Sequence, residues 1–578
     1  MQNFLIMIHY KLFLKNPNSH YIYVDLTIDG ISSEIIELQL PAWRPGRYEL
    51  GNFAKNIKRV DAFNENGESL FYEKLSKDLW KIETNGAQTI KVTYSYFTSE
   101  INAGNCYADD NQIYVNPVHL CMYLPDRINE EHQIELVVPE DYQIATSLIK
   151  DKFILKASSF DELADSPIMA SANLQSDEYV VNGIKFWLHF IGECKPDFDK
   201  IKSDFAKFTA TQLNFWGDFP VNEYHFMFQV LPFKFYHGVE HLKSTVIAIG
   251  PGYSLNKGTT YLDVLGVSCH ELFHTWNIKL IRPYEMLPYQ FSKENYARTG
   301  YVYEGFTTYY GDLLLLTSGV FSVNEYFETL EERLIKHFHN YGRYNLSVAH
   351  SSWDTWLDGY VPGAPYRKTS IYDEGNLIAL MLDVYIMKYT NGDKGLKDVC
   401  RVLYEEFGKK QKGYSEKDVI DICEKIAGVS LIDFFNKYVY GTEDFEIPLK
   451  ECFDYLGIEF LKIPSTTICE SKYGFKTVDF GTNKKVTLIA PYSPSWKAGL
   501  SIGDEIVAIN GYTLKNDCHD WMNYFKDSEI ELTVSSNQKL KVIKLPIVLK
   551  PVTYFDLFKL KQNIIDNQNY LKWVSLNS

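Results

Sequence analysis

The chain has 578 residues, of which 46% are hydrophobic and 23% are charged, and this composition excludes a wholly disordered protein. Acidic residues outnumber basic residues by 74 to 58, so the net charge of -16 argues against nucleic-acid binding. The 9 cysteines are scattered without CxxC spacing, which favours a reducing compartment over a disulfide framework. The amino end lacks the features of a signal peptide, and no apolar run reaches the ~20 residues that cross a bilayer. We expect a soluble, cytoplasmic protein of several domains, at roughly 100–200 residues per domain.

The amino-terminal part of the chain, residues 1–170, is predicted to be a sandwich-like β domain. Its segments alternate apolar and polar residues or carry β-branched and aromatic runs, and turn clusters separate them. The predicted strands lie at 20–28, 34–40, 88–97 and 133–139. The segment Leu40–Tyr48 (LPAWRPGRY) is typical of a strand that ends in a turn. We expect it to contribute structure and interdomain packing rather than chemistry, with Trp43 in the core.

The second part of the chain, residues 171–460, is predicted to be mostly helical. Apolar residues recur there at spacings of three and four, which is the period of an amphipathic helix. The predicted helices lie at 197–216, 259–280, 305–319, 323–341, 374–390, 394–407 and 415–428.

The last part of the chain is predicted to return to short strands. The polar stretch 464–472 (PSTTICESK) is expected to be a linker, and a small domain is predicted over 465–550. Gly503-Asp504 and Asn510-Gly511 are typical of hairpin turns. The remaining residues, 551–578, are too few to form a domain and are taken as a C-terminal extension. The predicted strands lie at 485–491, 505–511, 529–536 and 539–548.

The clearest chemical motif is the HExxH sequence from His270 to His274, which lies inside a helical pattern. Residues four apart share one helix face, so both imidazoles can reach one Zn²⁺ at roughly 2.0–2.1 Å. Glu271 lies about 100° around the helix, where it can take a proton from water at the metal. By itself the motif is also compatible with two half-buried histidines and a solvated glutamate.

A zinc site needs a third protein ligand, and two glutamates compete for this role. A thermolysin-type spacing would favour Glu294, which lies in the polar, turn-like sequence FSKENYARTG. Glu304 opens the strongly periodic helix YVYEGFTTYYGDLLLL, and a rigid element holds a ligand better than a loop does. We favour Glu304, whose alternative role is that of a first-turn glutamate complementing the helix dipole.

The surroundings of the motif resemble a known family. The stretch HELFHTWNIKLIRP, followed by YEGFTTYYGDLL, looks like the zinc-site signature of the glycyl aminopeptidase family. Members are metallopeptidases with a thermolysin-like catalytic domain and a C-terminal PDZ domain. The resemblance includes Asn277, Lys279, Arg282, Pro283 and the block Glu304–Thr307, and it implies Glu304 as the third ligand. The segment LPAWRPGRY also looks like the N-terminal domain signature of that family.

Two further segments resemble substrate-binding motifs of the family. The segment Tyr236–His241 (YHGVEH) is similar to its glycine-glycine-aliphatic-Glu-His motif, except that His237 replaces a glycine. The resemblance implies that Glu240 holds the α-ammonium group of the substrate by a charge-assisted hydrogen bond. It also implies that Gly238 lets the backbone run close to the peptide.

The segment Ser370–Gly375 (SIYDEG) resembles the Ser-Tyr-Tyr-x-Lys-Gly block of the family. The resemblance makes Tyr372 the candidate donor to the carbonyl oxygen, where negative charge develops during peptide hydrolysis. Ile371 and Glu374 depart from the pattern, and a packing role is the alternative for Tyr372.

Residues 485–514 resemble the PDZ pattern of a strand followed by Ser-Pro, Ala-Gly-Leu, Gly-Asp and Ile-Asn-Gly. PDZ folds bind a peptide as an added strand along a sheet edge. The carboxylate-binding loop is expected near Tyr473–Phe475, where no clear Gly-Leu-Gly-Phe-like motif is present. A role in shaping substrate access is the alternative to peptide binding.

These features predict a multidomain α+β protein with a β-sandwich-like N-terminal domain, a thermolysin-like, mostly helical catalytic domain and a C-terminal PDZ-like domain. The resemblance implies a zinc-dependent aminopeptidase that removes N-terminal Gly or Ala from peptides with a free N-terminus. One Zn²⁺ per chain would be held by His270, His274 and Glu304, with Glu271 as general base. The alternatives are a zinc endopeptidase and a catalytically idle scaffold whose PDZ-like domain binds peptides or proteins. The oligomeric state is left open.

Overall fold

A computed structural model describes residues 8–360, 363–548, 552–562 and 567–578. Residues 1–7, which carry part of the signal-peptide argument, and the predicted boundary at 550–551 lie outside these ranges. Within them, no helix is both long and apolar enough to cross a membrane. One large hydrophobic core joins the amino-terminal region, the catalytic region and the carboxyl-terminal tail. A separate core lies between Ile468 and Leu545.

The amino-terminal region is rich in β-structure, as predicted. Every second side chain of the strand Tyr21–Asp29 is buried, because alternate residues of a strand point to opposite faces. The largest sheet has seven strands, in the spatial order Ile149–Asp151, Ile154–Ala157, His132–Val137, Ile8–Leu14, Tyr21–Asp29, Thr89–Phe97 and Ile57–Asn64. A four-stranded sheet has the order Gln143–Ala145, Ile168–Ser171, Gln112–Val115 and Tyr107–Ala108. A three-stranded sheet has the order Ile35–Gln39, Leu79–Glu83 and Tyr72–Lys74.

A five-stranded mixed sheet follows, and the expectation of a mostly helical catalytic domain missed it. Its inner strands Glu223–Val230 and Ser244–Gly250 are buried almost throughout, so they lack the alternation by which a strand is recognised. Phe235–Glu240 lies at the sheet edge and runs antiparallel to Ser244–Gly250. The spatial order is Gln175–Val181, Ile184–Ile191, Glu223–Val230, Ser244–Gly250 and Phe235–Glu240.

Helices make up most of the remaining catalytic region. The predicted helices are present, and Val348–Asp358 and Glu446–Leu456 occur in addition. The longer helices are Phe198–Trp216, Gly258–Phe273, Thr307–Thr317, Val323–His339, Val348–Asp358, Asp373–Tyr389, Leu396–Leu403, Glu416–Ala427 and Glu446–Leu456. The short helices are Pro117–Leu120, Phe160–Ala164, Ile432–Phe434, Ile468–Ser471, Pro494–Ala498 and Cys518–Tyr524. Within the described ranges, three helical turns are of the π type, namely Tyr301–Phe306, Tyr404–Gly408 and Phe435–Val439.

The helix that carries HExxH, Gly258–Phe273, is shorter than the predicted segment 259–280. The chain leaves the helix after His274, and Ile278 adopts a φ of 87°, a conformation that β-branched residues rarely adopt. The carbonyl group of Asn277 contacts the His274 ring instead of continuing the helix. The early end of this helix therefore places a backbone acceptor beside the second histidine of the motif.

Residues 465–548 form a small α/β unit, in which the predicted strands are present. Asn510 and Gly511 have φ values of 46° and 82°, and they form the expected two-residue turn between Ile509 and Tyr512. The predicted linker is partly wrong, because Ile468–Ser471 is helical and its Ile468 side chain is buried in the core of this unit. The strands are Phe475–Phe480, Asn483–Ile489, Glu505–Ile509, Tyr512–Thr513, Ile530–Ser536 and Lys539–Leu545.

The carboxyl-terminal tail belongs to the fold of the catalytic region and is not a free extension. Its strand Leu557–Gln562 pairs with Ile458–Ile463, which precedes the small unit in the chain. Its helix Gln568–Leu576 buries Trp573, whose ring is only 1% exposed. The small unit is thus inserted between two paired strands of the catalytic region.

Candidate active site

The two histidines of the HExxH motif and Glu304 meet at one point. The Nε2 atoms of His270 and His274 are 3.1 Å apart. The Oε2 atom of Glu304 lies 3.3 Å from Nε2 of His274 and 3.7 Å from Nε2 of His270. Their ligand atoms all lie within 4.8 Å of one another. Glu294, the competing candidate, lies in an irregular segment and does not join this group.

The ring of His274 is oriented by its other nitrogen. Nδ1 of His274 lies 2.9 Å from the carbonyl oxygen of Asn277, so this nitrogen carries the proton and Nε2 is left as an acceptor. The Asn277 side chain donates to the carbonyl oxygen of Val302 at 2.9 Å and to Oγ1 of Thr307 at 3.0 Å. Asn277 therefore fixes both the second histidine and the segment that carries Glu304.

Glu304 lies in the π-helical turn Tyr301–Phe306, which continues as the helix Thr307–Thr317. Such turns occur frequently at functional sites, because they shift side chains out of the regular helical positions. The turn packs closely on its neighbours: a Cβ at Gly375 would lie 2.6 Å from Cα of Gly305, and a Cβ at Gly311 would lie 3.1 Å from Cα of His270. Glycine at these positions lets three helices meet at the site.

The electrostatics of the three side chains favour a cation. Burial would raise the pKa of Glu304, but the imidazoles of His274 and His270 outweigh it and lower this pKa to about 2. Burial would lower the pKa of His274, but the Glu304 and Glu240 carboxylates raise it to about 10. Glu304 Oε2 is buried without a hydrogen-bond partner among the described residues. Two imidazole nitrogens and a carboxylate oxygen that converge in this way match the donor set of a zinc site, in which the metal takes the place of the proton on Nε2 of His274.

Glu271 lies beside this group rather than in it. Its side chain is 5% exposed, and Oε2 has no hydrogen-bond partner within the described part of the chain. Burial, helped by the Glu240 and Glu304 carboxylates, raises the pKa of Glu271 well above its usual range. A Cβ at Gly238 would clash with Oε1 of Glu271. Glycine at 238 therefore makes room for the Glu271 carboxylate, a reason that the sequence did not reveal.

Glu240 lies at the end of the edge strand, with its side chain 3% exposed. Its Oε1 atom has no hydrogen-bond partner among the described residues. One of its carboxylate oxygens lies within 4.8 Å of ligand atoms of Glu271 and His274. A buried carboxylate oxygen without a hydrogen-bond partner is costly, so this position is suited to a hydrogen-bonding, positively charged group of a ligand.

A buried ion pair holds the end of the edge strand in place. Asp165 accepts a hydrogen bond from Nζ of Lys279 at 2.6 Å and one from the backbone N–H of Leu242 at 2.8 Å. Nδ1 of His241 lies 3.1 Å from the same carboxylate. The contact links the residues after Glu240 to the turn after the HExxH helix.

Tyr372 lines the same cleft, and its hydroxyl lies 3.0 Å from that of Tyr360. Tyr360 was not identified from the sequence. Both departures from the family block have a place in the structure: Ile371 is 4% exposed, and a Glu374 carboxylate oxygen lies 3.3 Å from Nδ1 of buried His337. Glu374 also accepts a hydrogen bond from Thr369.

One end of the cleft is formed by the amino-terminal segment Leu40–Tyr48, for which structure and interdomain packing were predicted. Gly46 lies so close to Glu240 that a Cβ there would clash with the carboxylate. Arg47 lines the cleft, pairs with Glu49 and lies 5.2 Å from the centre of the Tyr360 ring. Trp43 is fully buried, as expected, and anchors this turn by an edge-on contact with Trp356 at 5.0 Å.

The other end of the cleft contains a cation that the sequence analysis also missed. Arg333 pairs with Asp373 at 3.0 Å and with Asp312 at 3.4 Å. Tyr236 lines the cleft at this end, three residues before Val239 reaches the core, and His237 on the same strand is half-buried. Burial, with Arg44 and Arg47 adding to it, lowers the pKa of His237 to about 3, so its ring is neutral. The whole cleft has a volume of ≈ 390 Å³.

Two segments of the chain match known protein families. Residues 9–172 match the Peptidase M61 N-terminal domain, and residues 263–378 match the M61 glycyl aminopeptidase domain. The second match includes the HExxH motif, Glu304 and Tyr372. No match was found among the curated proteins.

The chain is also similar to solved structures. An aminopeptidase N family protein from Idiomarina loihiensis is 26% identical, with a TM-score of 0.90, and the similarity covers 98% of this chain and 100% of that chain. An M1 zinc metallopeptidase from Deinococcus radiodurans, a mutant bound to a Tyr-Ser-Ala substrate, is 13% identical. Its TM-score is 0.46, and the similarity covers 77% of this chain and 95% of that chain.

Proposed function

The chain carries the N-terminal and catalytic domains of the glycyl aminopeptidase family and is a metallopeptidase, and on this premise we propose that it is a zinc-dependent aminopeptidase releasing small N-terminal residues, Gly or Ala. The observation that carries the proposal is the convergence of His270, His274 and Glu304 beside the unpaired carboxylate of Glu240. The proposal thus assigns a metal site and a site for an ammonium group to one cleft.

The donor set of two imidazoles and one carboxylate supports zinc. A single Zn²⁺ held by His270, His274 and Glu304 would polarise the scissile carbonyl and lower the pKa of the attacking water. The hydrogen bond between Nδ1 of His274 and the Asn277 carbonyl supports this, because it leaves Nε2 free to bind a metal.

Glu271 is proposed as the general base. Its carboxylate takes the proton of the attacking water and then gives it to the leaving amine of the substrate. Its raised pKa supports this role, because a base must be able to hold the proton between the two steps. The space left by Gly238 keeps this carboxylate at the side of the cleft on which the edge strand lies.

Glu240 is proposed to bind the α-ammonium group of the substrate. The carboxylate is buried and unpaired, and the turn at Gly46 closes the cleft directly behind it. We propose that a peptide extends from Glu240 away from Gly46, toward Tyr236 and Arg333, which also line the cleft. This supports the removal of one terminal residue over internal cleavage, which is the reaction of the alternative endopeptidase.

Tyr372 is proposed to donate a hydrogen bond to the carbonyl oxygen as negative charge develops there. Its hydroxyl contacts that of Tyr360, which lies on a different segment of the same cleft wall. A pair of hydroxyls in contact can orient one another, so Tyr360 is proposed to hold Tyr372 in a donating position.

The inserted unit, residues 465–550, is proposed to be PDZ-like, with the N-terminal domain at 1–170 and the catalytic domain at 171–460. Its edge strand Phe475–Phe480 contacts the catalytic region, where Nζ of Lys476 lies 2.7 Å from Nδ1 of His339. Tyr473 and Phe475 are fully buried, so their side chains do not form an open carboxylate pocket. These contacts support a role in shaping substrate access alongside the binding of a peptide. The cytoplasmic location stays a prediction.

The proposed function is tested by the release of chromophore from glycyl- and alanyl-anilides by the purified protein. We expect activity that is lost with a chelator, restored by zinc, and reduced by about 100-fold or more in Glu271→Gln, because a general base contributes about 10²–10⁴ in rate. Full activity of Glu271→Gln would refute the mechanism. Cleavage of N-acetylated peptides at the same rate as free ones would favour the endopeptidase instead.

A further inference from the structure

A second cleft lies in the amino-terminal domain next to the catalytic cleft, with which it shares Arg47, and has a volume of ≈ 370 Å³. Its floor is buried, with Arg44 5% exposed and His119 3% exposed. Its rim is exposed and polar, so a small ligand can enter from solvent. The floor also includes Phe53, Tyr96 and Cys106, and the rim includes Lys55, Ser99, Glu100, Asn102 and Asn105.

The guanidinium group of Arg44 forms no salt bridge or hydrogen bond with a carboxylate among the described residues, although the Glu240 carboxylate is near enough to act on its pKa. Its one hydrogen bond there is donated by Nη1 to the carbonyl oxygen of Pro45 at 3.3 Å. The group lies against the backbone of Gly104, where a Cβ would clash with it. A buried cation without a partner is costly, and a guanidinium offers paired donors that match a carboxylate. The floor of this cleft therefore favours an anion.

A hydrogen-bond acceptor lies close to Arg44. Burial, with Arg44 adding to it, lowers the pKa of His119 well below its usual range, so the ring is neutral. The ring is stacked on Phe53 with centroids 3.8 Å apart and has a hydrogen bond to the backbone of Gly104. Its Nε2 has no partner within the described residues. Because Nε2 has no partner, the hydrogen bond to Gly104 is donated by Nδ1. The neutral ring then has Nε2 as an acceptor, which can take a hydrogen bond from a donor on the ligand.

We propose that this cleft binds a small carboxylic acid with a hydrogen-bond donor next to its carboxylate, the chemistry of a free α-amino or α-hydroxy acid. Arg44 binds the carboxylate, and Nε2 of His119 accepts from the adjacent ammonium or hydroxyl group. The volume is sufficient for a molecule of this size and small for a macromolecular segment. An aminopeptidase releases free amino acids, so the ligand of this cleft could be a product of the reaction. Only this connection between ligand and product rests on the proposed function.

The proposal is tested by calorimetric titration of the full chain with glycine, glycolate, acetate and inorganic phosphate. We expect glycine or glycolate to bind, and acetate, which lacks the donor, to bind about 2- to 10-fold more weakly. Arg44→Gln is expected to weaken glycine and glycolate binding by about 10- to 100-fold, because it removes a charged hydrogen bond. No binding of either acid, or tighter binding of phosphate than of both, would overturn the proposal.

A second pair of variants covers the case in which Arg44→Gln does not fold. Ser99→Trp places a bulky side chain at the exposed rim without changing the floor, and it is expected to abolish binding. Lys58→Gln removes an exposed positive charge of the same domain outside the cleft and is expected to leave binding unchanged. Binding that survives Ser99→Trp would belong to another site, such as the metal centre, and would refute the proposal. Because the readout is binding, the result is independent of peptidase activity.

Discussion

The carboxylates of Glu271 and Glu240 are packed against glycines, which have no side chain. Gly238 lies against Glu271, and Gly46 lies against Glu240, and a methyl group at either position would clash with the carboxylate. Both carboxylates are buried with an oxygen that has no partner among the described residues. At the scale of single residues, the site thus combines a close approach that only glycine permits with buried polar atoms that have no partner among the described residues.

Gly238→Ala is expected to lower kcat/KM by about 100-fold, because displacing a catalytic group by about 1 Å has this effect. The measurement is anilide hydrolysis together with a thermal melt. Gly266→Ala is the matched control, since Gly266 lies in the same helix as Glu271 and a Cβ there meets nothing within 4 Å. The control is expected to retain activity and to gain up to about 1 kcal/mol of stability. Equal activity of both variants would contradict the role of Gly238.

Glu304→Gln is expected to weaken zinc binding by more than about 100-fold, because even residues that only support a metal ligand contribute 10- to 100-fold. Competition with a chromophoric chelator measures the affinity. Glu294→Gln, the change at the competing glutamate, is expected to leave the affinity unchanged. The opposite pattern would transfer the third ligand to Glu294.

At the scale of secondary structure elements, the carboxyl-terminal helix Gln568–Leu576 is a structural part of the catalytic region. Nε1 of Trp573 donates to Oδ2 of Asp383 at 3.0 Å, and Nδ2 of Asn577 donates to the same oxygen at 3.0 Å. Oδ2 of Asp383 also accepts from the hydroxyl of Tyr309, in the helix that follows Glu304, at 2.6 Å. The tail helix therefore completes a buried hydrogen-bond network that reaches the helix following Glu304.

Trp573→Ala is expected to lower the free energy of unfolding by about 3–5 kcal/mol, as for other large buried aromatic residues. Leu571→Ala, in the same helix but 47% exposed, is the control and is expected to cost much less. Denaturant unfolding of both proteins measures the difference. Similar midpoints for the two variants would show that the tail helix is dispensable.

At the scale of the whole molecule, the inserted unit has its own core. The strands that precede and follow it in the chain are paired with each other. Ile463 and Leu557 are direct partners across that pair, so the chain ends of the catalytic region lie close together without the insertion. An insertion with adjacent ends and a separate core can be removed without opening the core of its host.

Replacement of residues 465–555 by a short Gly-Ser loop is expected to leave a folded, zinc-binding protein. Because the unit is proposed to shape substrate access, we expect its removal to change KM for longer peptides. Small anilides are expected to be hydrolysed as before. Circular dichroism, zinc content and a series of peptide lengths measure this. Deletion of residues 464–578, which also removes the tail, is the contrasting variant and is expected to unfold. Loss of folding in the first variant would contradict the independence of the insertion.

The sequence by itself determined those features that depend on local spacing. Two histidines four residues apart must share a helix face, and strict alternation predicts strands such as Tyr21–Asp29 whatever surrounds them. The preference for Glu304 followed from its place in a periodic segment, and the Asn510-Gly511 turn followed from the backbone freedom of its two residues.

Only the tertiary structure decided which distant segments meet. Arg47 of the amino-terminal domain, Tyr360 and Arg333 line the cleft with the HExxH helix, although nothing in their local sequence distinguishes them from other arginines and tyrosines. The inner strands of the five-stranded sheet were missed because burial on both faces removes their alternation. The tail was missed because its strand and helix acquire their role by packing on partners far away in the chain. Contacts of this kind carry no period in the sequence, so they become visible only when the chain is folded.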